Sequence, residues 1–395
     1  MARLKWMALL VVVVGGVSFS LSWNRNVSFY ELLNNSQPPE IFHFDSSLNC
    51  LNQSTWQTLD DLFQNNKYFL QKRNEDGTLT SWSSMGKQMT GYYAVFSSST
   101  RGHPNTNALY LILTALVWSN IGIGSIVVIT GEISEWENRL TLRFIIEQLV
   151  QMRVTFIFIQ TKEHDIILSQ TGRLFAANML KWDSERNTYL ITTDTDLWPL
   201  KNNYYKLPAG KGIMILNSDC CGTFTRNDVR YKLLPISNIV MSVKTWKNVM
   251  TPYNTDPKKA SDIIEYIADV LGHSRSSKLH VGREDEIVWN ADQFIISMRI
   301  AEYQERFSKD DSIYKPRWVS LDRIDKDLKL YKYLISKDVH LPRDLFKASS
   351  SDTKRKIRKL LLMMYGPKFY LQWEKLWKNY QTCILHEGKF TGNLN

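Results

Sequence analysis

The chain of 395 residues is predicted to form an α/β domain built on a mostly parallel sheet. From Gly91 onwards, short apolar runs typical of buried strands alternate with longer segments that have helical apolar spacing. The runs are YYAVF at 92–96, SIVVIT at 125–130, VTFIFI at 154–159 and a fourth that begins at Tyr189. Strands separated by helices of this length imply right-handed crossovers and a parallel sheet with helices on both faces.

The composition excludes two broad classes of protein. An apolar fraction of 44% and a charged fraction of 22% are ordinary for a globular protein, so neither wholesale disorder nor a protein with many membrane spans is indicated. The formal net charge of +10 indicates an anionic partner, which is nucleic acid, a membrane surface or a phosphorylated substrate. The sequence has no zinc-finger spacing and no RNA-recognition motif, so nucleic acid is not expected.

An apolar segment of 18 residues, from Trp6 to Trp23, follows a short N-terminus that carries Arg3 and Lys5. This length is near the minimum for a membrane-spanning helix, and the positive charges favour a cytoplasmic tail at 1–5. Everything after the anchor is then on the lumenal side, in a type II orientation. A cleaved signal peptide is the alternative, since small residues near the end of the segment suit a cleavage site.

Residues 24–88 are predicted to form a polar lumenal stem. They are rich in Asn, Ser, Gln and Thr, and they contain N-glycosylation sequons at Asn26, Asn34 and Asn52. The four cysteines of the chain allow at most two bridges, so an apolar core must provide most of the stability.

The clearest chemical signal is the sequence YLITTDTDLWP at 189–199, in which an apolar strand leads into Asp194 and Asp196. The carboxyl edge of a parallel sheet is where open α/β folds bind their ligands. Side chains alternate along an extended chain, so both carboxylates can project to the same side. Carboxylate oxygens suit Mg²⁺ or Mn²⁺ bridging to phosphates, which predicts a metal and nucleotide site.

An anchor, a stem and a nucleotide-binding half that ends in a DxD motif together resemble glycosyltransferases of the GT-A fold, over approximately residues 91–343. The resemblance implies transfer of a sugar from a nucleotide-sugar donor to a glycan, glycoprotein or glycolipid acceptor. In that family the DxD carboxylates hold a divalent cation, usually Mn²⁺, on the donor diphosphate, and Asp194 and Asp196 are the matching positions. It also implies a Golgi membrane protein, with the endoplasmic reticulum as the alternative.

Two further motifs of the family have counterparts in this sequence. Asp292, followed by Gln293, resembles the helix-start motif that supplies a base or an acceptor contact, with Glu286 as the second candidate. A simple preference of acidic residues for a helix N-terminus is the alternative. The family often uses a late histidine as a third metal ligand, and His340 is the best candidate for that role.

Donor binding also requires positive groups to neutralise the diphosphate. Arg173 precedes the DxD strand, and Arg101 lies in the polar loop that follows the first strand. Both are candidates for binding the nucleotide-sugar. A structural ion pair is an equally good interpretation of Arg173.

The catalytic domain is predicted to occupy 89–345 and to be followed by a basic, aromatic and helical region at 346–395. In that region a run of Lys and Arg stands beside LLLMMY at 360–365. A solvated charged face over a packed apolar face is the favoured interpretation, and a membrane-facing or acceptor-facing helix is the alternative.

Two other functions are compatible with the DxD sequence. Phosphohydrolases of the haloacid-dehalogenase type also use a strand-terminal Asp-x-Asp, with one aspartate as the nucleophile. That family expects Thr or Val where this chain has Trp198, and it expects the motif near the start of the domain. The other alternative is a non-catalytic lumenal protein that uses the same fold for binding.

Overall fold

The computed structural model describes residues 57–66, 69–74, 76–84, 91–100, 104–201, 203–250, 257–272, 289–307, 313–317, 320–321, 336–341 and 351–391. All of them belong to one compact unit, Phe42–Asn395. The predicted membrane anchor at 6–23 and the three sequons lie outside the described residues. Among the residues that are described, no helix is long and apolar enough to cross a membrane.

The described strands fall into one large sheet and two small ones. In chain order they are β1 Phe69–Arg73, β2 Leu79–Ser84, β3 Gly91–Ser99, β4 Gly124–Gly131, β5 Thr155–Gln160, β6 Thr188–Thr192, β7 Leu197–Pro199, β8 Ile213–Ile215, β9 Thr223–Arg226, β10 Val229–Lys232, β11 Ile239–Ser242, β12 Ile313–Tyr314, β13 Ser320–Leu321 and β14 Asp338–His340. The large sheet has nine strands in the order β1-β2-β5-β4-β3-β6-β11-β8-β12. The small sheets are β9-β10 and β13-β14-β7.

The middle of the large sheet is parallel, because β5, β4, β3 and β6 pair in parallel with one another. β2 and β11 each run antiparallel to both of their neighbours. The other seven of the nine strands therefore share one direction. The prediction of an α/β fold with a mostly parallel sheet and flanking helices is confirmed.

Helices cover both faces of the sheet. They are α1 Leu59–Gln64, α2 Pro104–Asn120, α3 Ile133–Asn138, α4 Leu140–Gln151, α5 Asp165–Thr171, α6 Ala176–Met179, α7 Val243–Met250, α8 Ala260–Leu271, α9 Ala291–Phe307 and α10 Ser351–Thr391. Because side chains alternate along a strand, Phe96 joins the apolar cluster that contains α2, α4 and α10. Its neighbour Val95 joins the opposite cluster, which contains α7, α8 and α9.

Residues 59–84 differ from the prediction that 24–88 is a stem. β2 pairs with β5, so this segment extends the central sheet. Phe63 of α1 stacks on Trp82 of β2 with ring centroids 4.4 Å apart, and it contacts Phe156 of β5 edge-on at 5.1 Å. The folded domain thus begins before the predicted boundary at residue 89. Apolar residues are sparse here, but Leu59, Phe63, Phe69, Leu79 and Trp82 are all buried.

The long C-terminal helix α10 is interrupted at Gly366, whose φ of 81° is not helical, and Pro367 follows. Beyond the interruption, Phe369, Leu376 and Tyr380 are buried. They lie against the face of the sheet that α2 and α4 cover. The predicted apolar face of this region is therefore confirmed, and the region belongs to the same compact unit as the sheet.

Candidate active site

The two aspartates of the DxD motif follow directly after β6. The main-chain N–H of Thr193 donates to Val95 O at 3.0 Å, so pairing with β3 continues one residue past β6. A turn then forms in which Leu197 N donates to Asp194 O at 3.2 Å. The predicted strand before the motif is confirmed, and Asp194 and Asp196 lie at the carboxyl edge of the parallel strands.

Arg173 lies between two carboxylates. Its Nη1 donates to Asp194 Oδ1 and its Nη2 donates to Asp292 Oδ2, each at 2.6 Å. The same guanidinium donates to the main-chain oxygens of Thr193, at 2.7 Å, and Gln170, at 3.1 Å. Arg173 therefore connects the DxD loop to the first turn of α9.

A glycine allows Arg173 to approach the sheet. Arg173 lies in a short 3₁₀ helix, Gly172–Phe175, between α5 and α6. A Cβ on Gly172 would lie 2.8 Å from Ile159, which is closer than real Cβ contacts, and 3.2 Å from Val128, which is tighter than most. Because glycine has no Cβ, this helix can lie directly on β4 and β5, and only 7% of the Arg173 side chain is exposed.

Asp292 is almost completely buried, with 6% of its side chain exposed. Its Oδ2 accepts from Arg173, and its Oδ1 accepts from the main-chain N–H of Gln293 at 2.8 Å. Burial raises the pKa of Asp292, and the attraction of Arg173 opposes this effect. For Arg173, burial acts to lower the pKa, but Asp194 and Asp292 outweigh it and the pKa is raised, so the guanidinium stays charged.

The second aspartate of the motif contacts the predicted histidine. His340 Nε2 lies 3.2 Å from Asp196 Oδ2, and both side chains are partly exposed. Strand β14 pairs antiparallel with β7, which places His340 opposite Leu197. In addition, Leu341 N donates to Asp196 O at 2.7 Å. A strand pairing between distant parts of the chain thus places the histidine beside the DxD motif.

Two polar residues that sequence reasoning missed hold this loop in place. Thr114 of α2 donates its hydroxyl to the main-chain oxygen of Thr195 and accepts from Trp198 Nε1 at 3.0 Å. Asn238 donates from Nδ2 to Asp338 Oδ2 at 2.8 Å, which supports the start of β14. For Thr114, the sequence offered one signal, which is a threonine within the apolar part of α2.

The donors at this edge of the sheet suit a divalent cation that also binds a substrate. Within the described ranges, no three His, Cys, Asp or Glu side chains are grouped so that they could hold a metal ion. Asp196 Oδ2 and His340 Nε2 are nevertheless 3.2 Å apart, and adjacent ligands of an octahedral ion with bonds of about 2.1 Å are about 3 Å apart. Asp194 is 33% exposed, and its Oδ2 accepts no hydrogen bond from the described residues.

Ions of this type commonly use one or two carboxylates together with substrate phosphates, so a complete protein cage is not required. The residues that are present therefore fit a Mg²⁺ or Mn²⁺ ion, for which substrate phosphates and water would have to supply the remaining ligands. His340 and Asp196 are the preformed pair, and Asp194 is the adjacent carboxylate.

The structure brings together five of the seven predicted site residues, namely Asp194, Asp196, Arg173, Asp292 and His340. Arg101 and Glu286 lie outside the described residues. A cavity of about 580 Å³ lies elsewhere, between β1, β2 and the start of α8, and none of the five lines it. The chemistry of the converging side chains, rather than the size of a cavity, identifies the candidate site.

Comparison with known proteins identifies no family for this chain. No protein-family profile and no curated protein matches the chain. Among solved structures, the chain is similar to a glycosyltransferase involved in the glycosylation of the major capsid of PBCV-1, with 10% sequence identity. That match covers 69% of this chain and 100% of the other, with a TM-score of 0.30. A likeness of this size is too weak to indicate a function.

Proposed function

We propose that the protein is a metal-dependent glycosyltransferase of the GT-A type, which moves a sugar from a nucleotide-sugar to a glycan, protein or lipid acceptor. One observation carries the proposal. Residues from four separate parts of the chain meet at the carboxyl edge of β6. They are Arg173, the Asp194 and Asp196 pair, Asp292 and His340, and each was predicted from the sequence to be a site residue.

Each of these side chains has a role in the proposed reaction. Asp196 and His340, with Asp194, would hold a Mn²⁺ or Mg²⁺ ion, and the ion would supply positive charge to offset the negative charge of the departing nucleoside diphosphate. Arg173 fixes the position of Asp194 by a charge-assisted hydrogen bond at 2.6 Å. Because Asp194 Oδ1 is bound to the buried guanidinium of Arg173, the orientation of Asp194 Oδ2 is also fixed.

Asp292 has a supporting role in this proposal. Its two oxygens are occupied by Arg173 and Gln293, so it balances the charge of Arg173 and fixes the guanidinium. The prediction that Asp292 or Glu286 is the base for the acceptor hydroxyl stays a prediction. A base needs a free oxygen within hydrogen-bond distance of that hydroxyl, and Asp292 has to leave Arg173 or Gln293 to provide one.

The place of the reaction is proposed from the sequence. The sequence at 6–23 is an apolar run long enough for a membrane anchor, and the three sequons follow it, which supports a type II protein with its sheet domain in the lumen of the Golgi or of the endoplasmic reticulum. A non-catalytic binding protein is the main competing function, and the experiment below separates the two.

The test is thermal unfolding of the purified full chain in detergent, followed by tryptophan fluorescence, with a panel of nucleoside diphosphates in the presence and absence of Mn²⁺. A ligand that binds only the folded state at about 100 times its Kd stabilises it by about 2.7 kcal/mol. One nucleotide is expected to raise the Tm only when Mn²⁺ is present. Asp194→Asn and Asp196→Asn are each expected to abolish that rise.

A matched control is needed because Asp194→Asn also breaks a contact of Arg173. Arg299 is another buried arginine, and its guanidinium donates to Tyr266 at 2.5 Å and to Glu302 at 2.6 Å, neither of which is a predicted site residue. Arg299→Ala is expected to lower the Tm but to preserve the shift with nucleotide and Mn²⁺. If a folded wild-type chain responds to no nucleotide, the transferase proposal is rejected in favour of a non-catalytic role.

A further inference from the structure

The second half of α10 has an exposed face of uniform character. Beyond Gly366, its exposed side chains recur every three or four residues, at Lys368, Leu371, Lys375, Lys378, Gln381 and Leu385. An α-helix has 3.6 residues per turn, so these positions form one continuous stripe along its outer side. The stripe contains three lysines, two leucines and a glutamine, and it contains no acidic residue.

The two leucines of the stripe are unusually exposed. Leu385 is 67% exposed and Leu371 is 62% exposed, which are the two highest values for a large apolar side chain among the described residues. At 1.5 Å per residue the two lie about 21 Å apart along the helix. The opposite side of the helix is buried through Phe369, Leu376 and Tyr380, so the leucines cannot turn inward while the domain is folded.

The charge of the stripe is not neutralised within the described part of the protein. None of its three lysines forms an ion pair with a described residue. The neighbouring acidic residues lie off the stripe: Glu374 contacts the Tyr370 hydroxyl, and Glu387 pairs with Arg139. The stripe therefore presents three positive charges to solvent. They are part of the formal net charge of +10 of the chain.

We propose that this stripe docks on the surface of an anionic lipid bilayer. A row of three cations interspersed with two apolar side chains matches a plane of headgroups, since lysine stems reach the phosphates while leucines enter the boundary with the acyl chains. A compact anionic ligand needs cations that converge on one point, whereas these are spread along a line. Docking holds the sheet domain against the membrane, and it is independent of the proposed sugar transfer.

The test uses the full chain reconstituted in nanodiscs of phosphatidylcholine, with or without phosphatidylserine. An environment-sensitive fluorophore on Leu371→Cys reports whether that position enters an apolar layer. The fluorescence is expected to rise and shift to the blue only with phosphatidylserine. A fluorophore on Val229→Cys, at an exposed aliphatic position in β10, is the matched control and is expected to respond in neither lipid.

The triple variant Lys368→Glu, Lys375→Glu and Lys378→Glu tests the lysines. Each lysine near an anionic surface contributes roughly fivefold, so the ratio of docked to undocked helix is expected to fall by about 100-fold or more. The triple Lys→Arg variant is expected to keep the response, and near-ultraviolet circular dichroism checks that each variant is folded.

Equal responses in the two lipids, or no response in either, would overturn the proposal. So would a response to a soluble acidic glycan in place of phosphatidylserine, which would identify an acidic acceptor as the partner.

Discussion

At the scale of single residues, the ion pairs of Arg173 combine a stabilising and a functional role. Arg173→Met removes the cation between Asp194 and the buried Asp292, and removal of one partner of a buried pair costs about 3–5 kcal/mol. We expect that loss in urea unfolding at neutral pH. Arg173→Lys is expected to recover only part of it, because one ammonium group cannot reproduce two separate N–H donors aimed at two carboxylates.

The pH dependence of the same variant tests whether Asp292 is the source of the loss. Burial raises the pKa of Asp292 in the folded protein, so protonation favours the folded state, and stability falls as the pH rises through that pKa. In Arg173→Met, no cation offsets the cost of burying the ionised Asp292 carboxylate. We therefore expect the difference in unfolding free energy between wild type and Arg173→Met to narrow as the pH is lowered through the raised pKa. A difference that does not change with pH would show that Asp292 is not responsible.

Thr114 allows a second prediction at this scale. Its hydroxyl bonds both the Thr195 main chain and the Trp198 indole, and Thr114→Val keeps the shape while it removes both bonds. A buried donor or acceptor left without a partner costs about 1–3 kcal/mol. We expect a loss of that size in urea unfolding, together with weaker Mn²⁺ binding in isothermal titration calorimetry. Unchanged Mn²⁺ affinity would mean that Thr114 supports the fold but not the DxD loop.

At the scale of elements, the start of α4 is held by a residue from the end of the chain. Glu387 of α10 accepts from Thr141 N at 3.1 Å, from Thr141 Oγ1 at 2.6 Å and from Arg139 Nε at 2.8 Å. The first N–H groups of a helix have no partner within the helix, and a carboxylate there also complements the helix dipole. Burial acts to raise the pKa of Glu387, but these bonds outweigh it, so the pKa is lowered.

Glu387→Gln is therefore expected to destabilise the protein by about 1–3 kcal/mol at neutral pH. Because the folded pKa lies below the ordinary value of 4.5, the stabilisation is fully present above that value and is lost as the pH falls through the folded pKa. Urea unfolding at a series of pH values should show wild type and variant converging in acid. Glu374→Gln is the control and should change little, because its only hydrogen bond from the described residues is a long one from Tyr370 at 3.5 Å, which an amide oxygen also accepts.

The elements that could be predicted from the sequence are those with dense local patterns. β3, β4, β5 and β6 have continuous apolar runs because both of their faces are buried, and such runs are recognisable without any knowledge of the fold. β1 and β2 were missed because each has only two apolar residues, and the other residues of both strands are polar. β7 and β14 are each three residues long, and strands of that length have too few positions to show a period.

For the candidate site, the sequence indicated residue types but not contacts. Asp194 and Asp196 could be selected because they end a strand. The contact of Arg173 with Asp292 joins the 3₁₀ helix before the DxD strand to the start of α9, and the contact of Asp196 with His340 depends on the pairing of β7 with β14. Local periodicity contains no information on such pairings, so the sequence left Arg173 equally compatible with donor binding and with an ion pair.

At the scale of the whole molecule, the described residues between 59 and 84 are part of the core. Leu59, Phe63 and Trp82 are each no more than 2% exposed, and Leu59 N donates to Glu137 Oε1 at 2.8 Å. Removal of this segment exposes Phe156 and leaves β5 as an uncovered edge strand. Truncation of a single buried Phe or Trp costs about 3–5 kcal/mol, and a whole domain is stable by only about 5–15 kcal/mol.

We therefore expect a fragment that starts at Gly91 to be insoluble or unfolded, whereas a fragment of residues 42–395, the complete compact unit, should unfold cooperatively. The measurement is near-ultraviolet circular dichroism with a thermal scan of both fragments. Unpaired apolar strand edges promote aggregation, so loss of the shorter fragment to aggregates would have the same cause. If the fragment from Gly91 unfolds with the same Tm as residues 42–395, then α1, β1 and β2 add nothing to the stability of the domain. The predicted boundary at residue 89 would then mark where the independently stable domain begins.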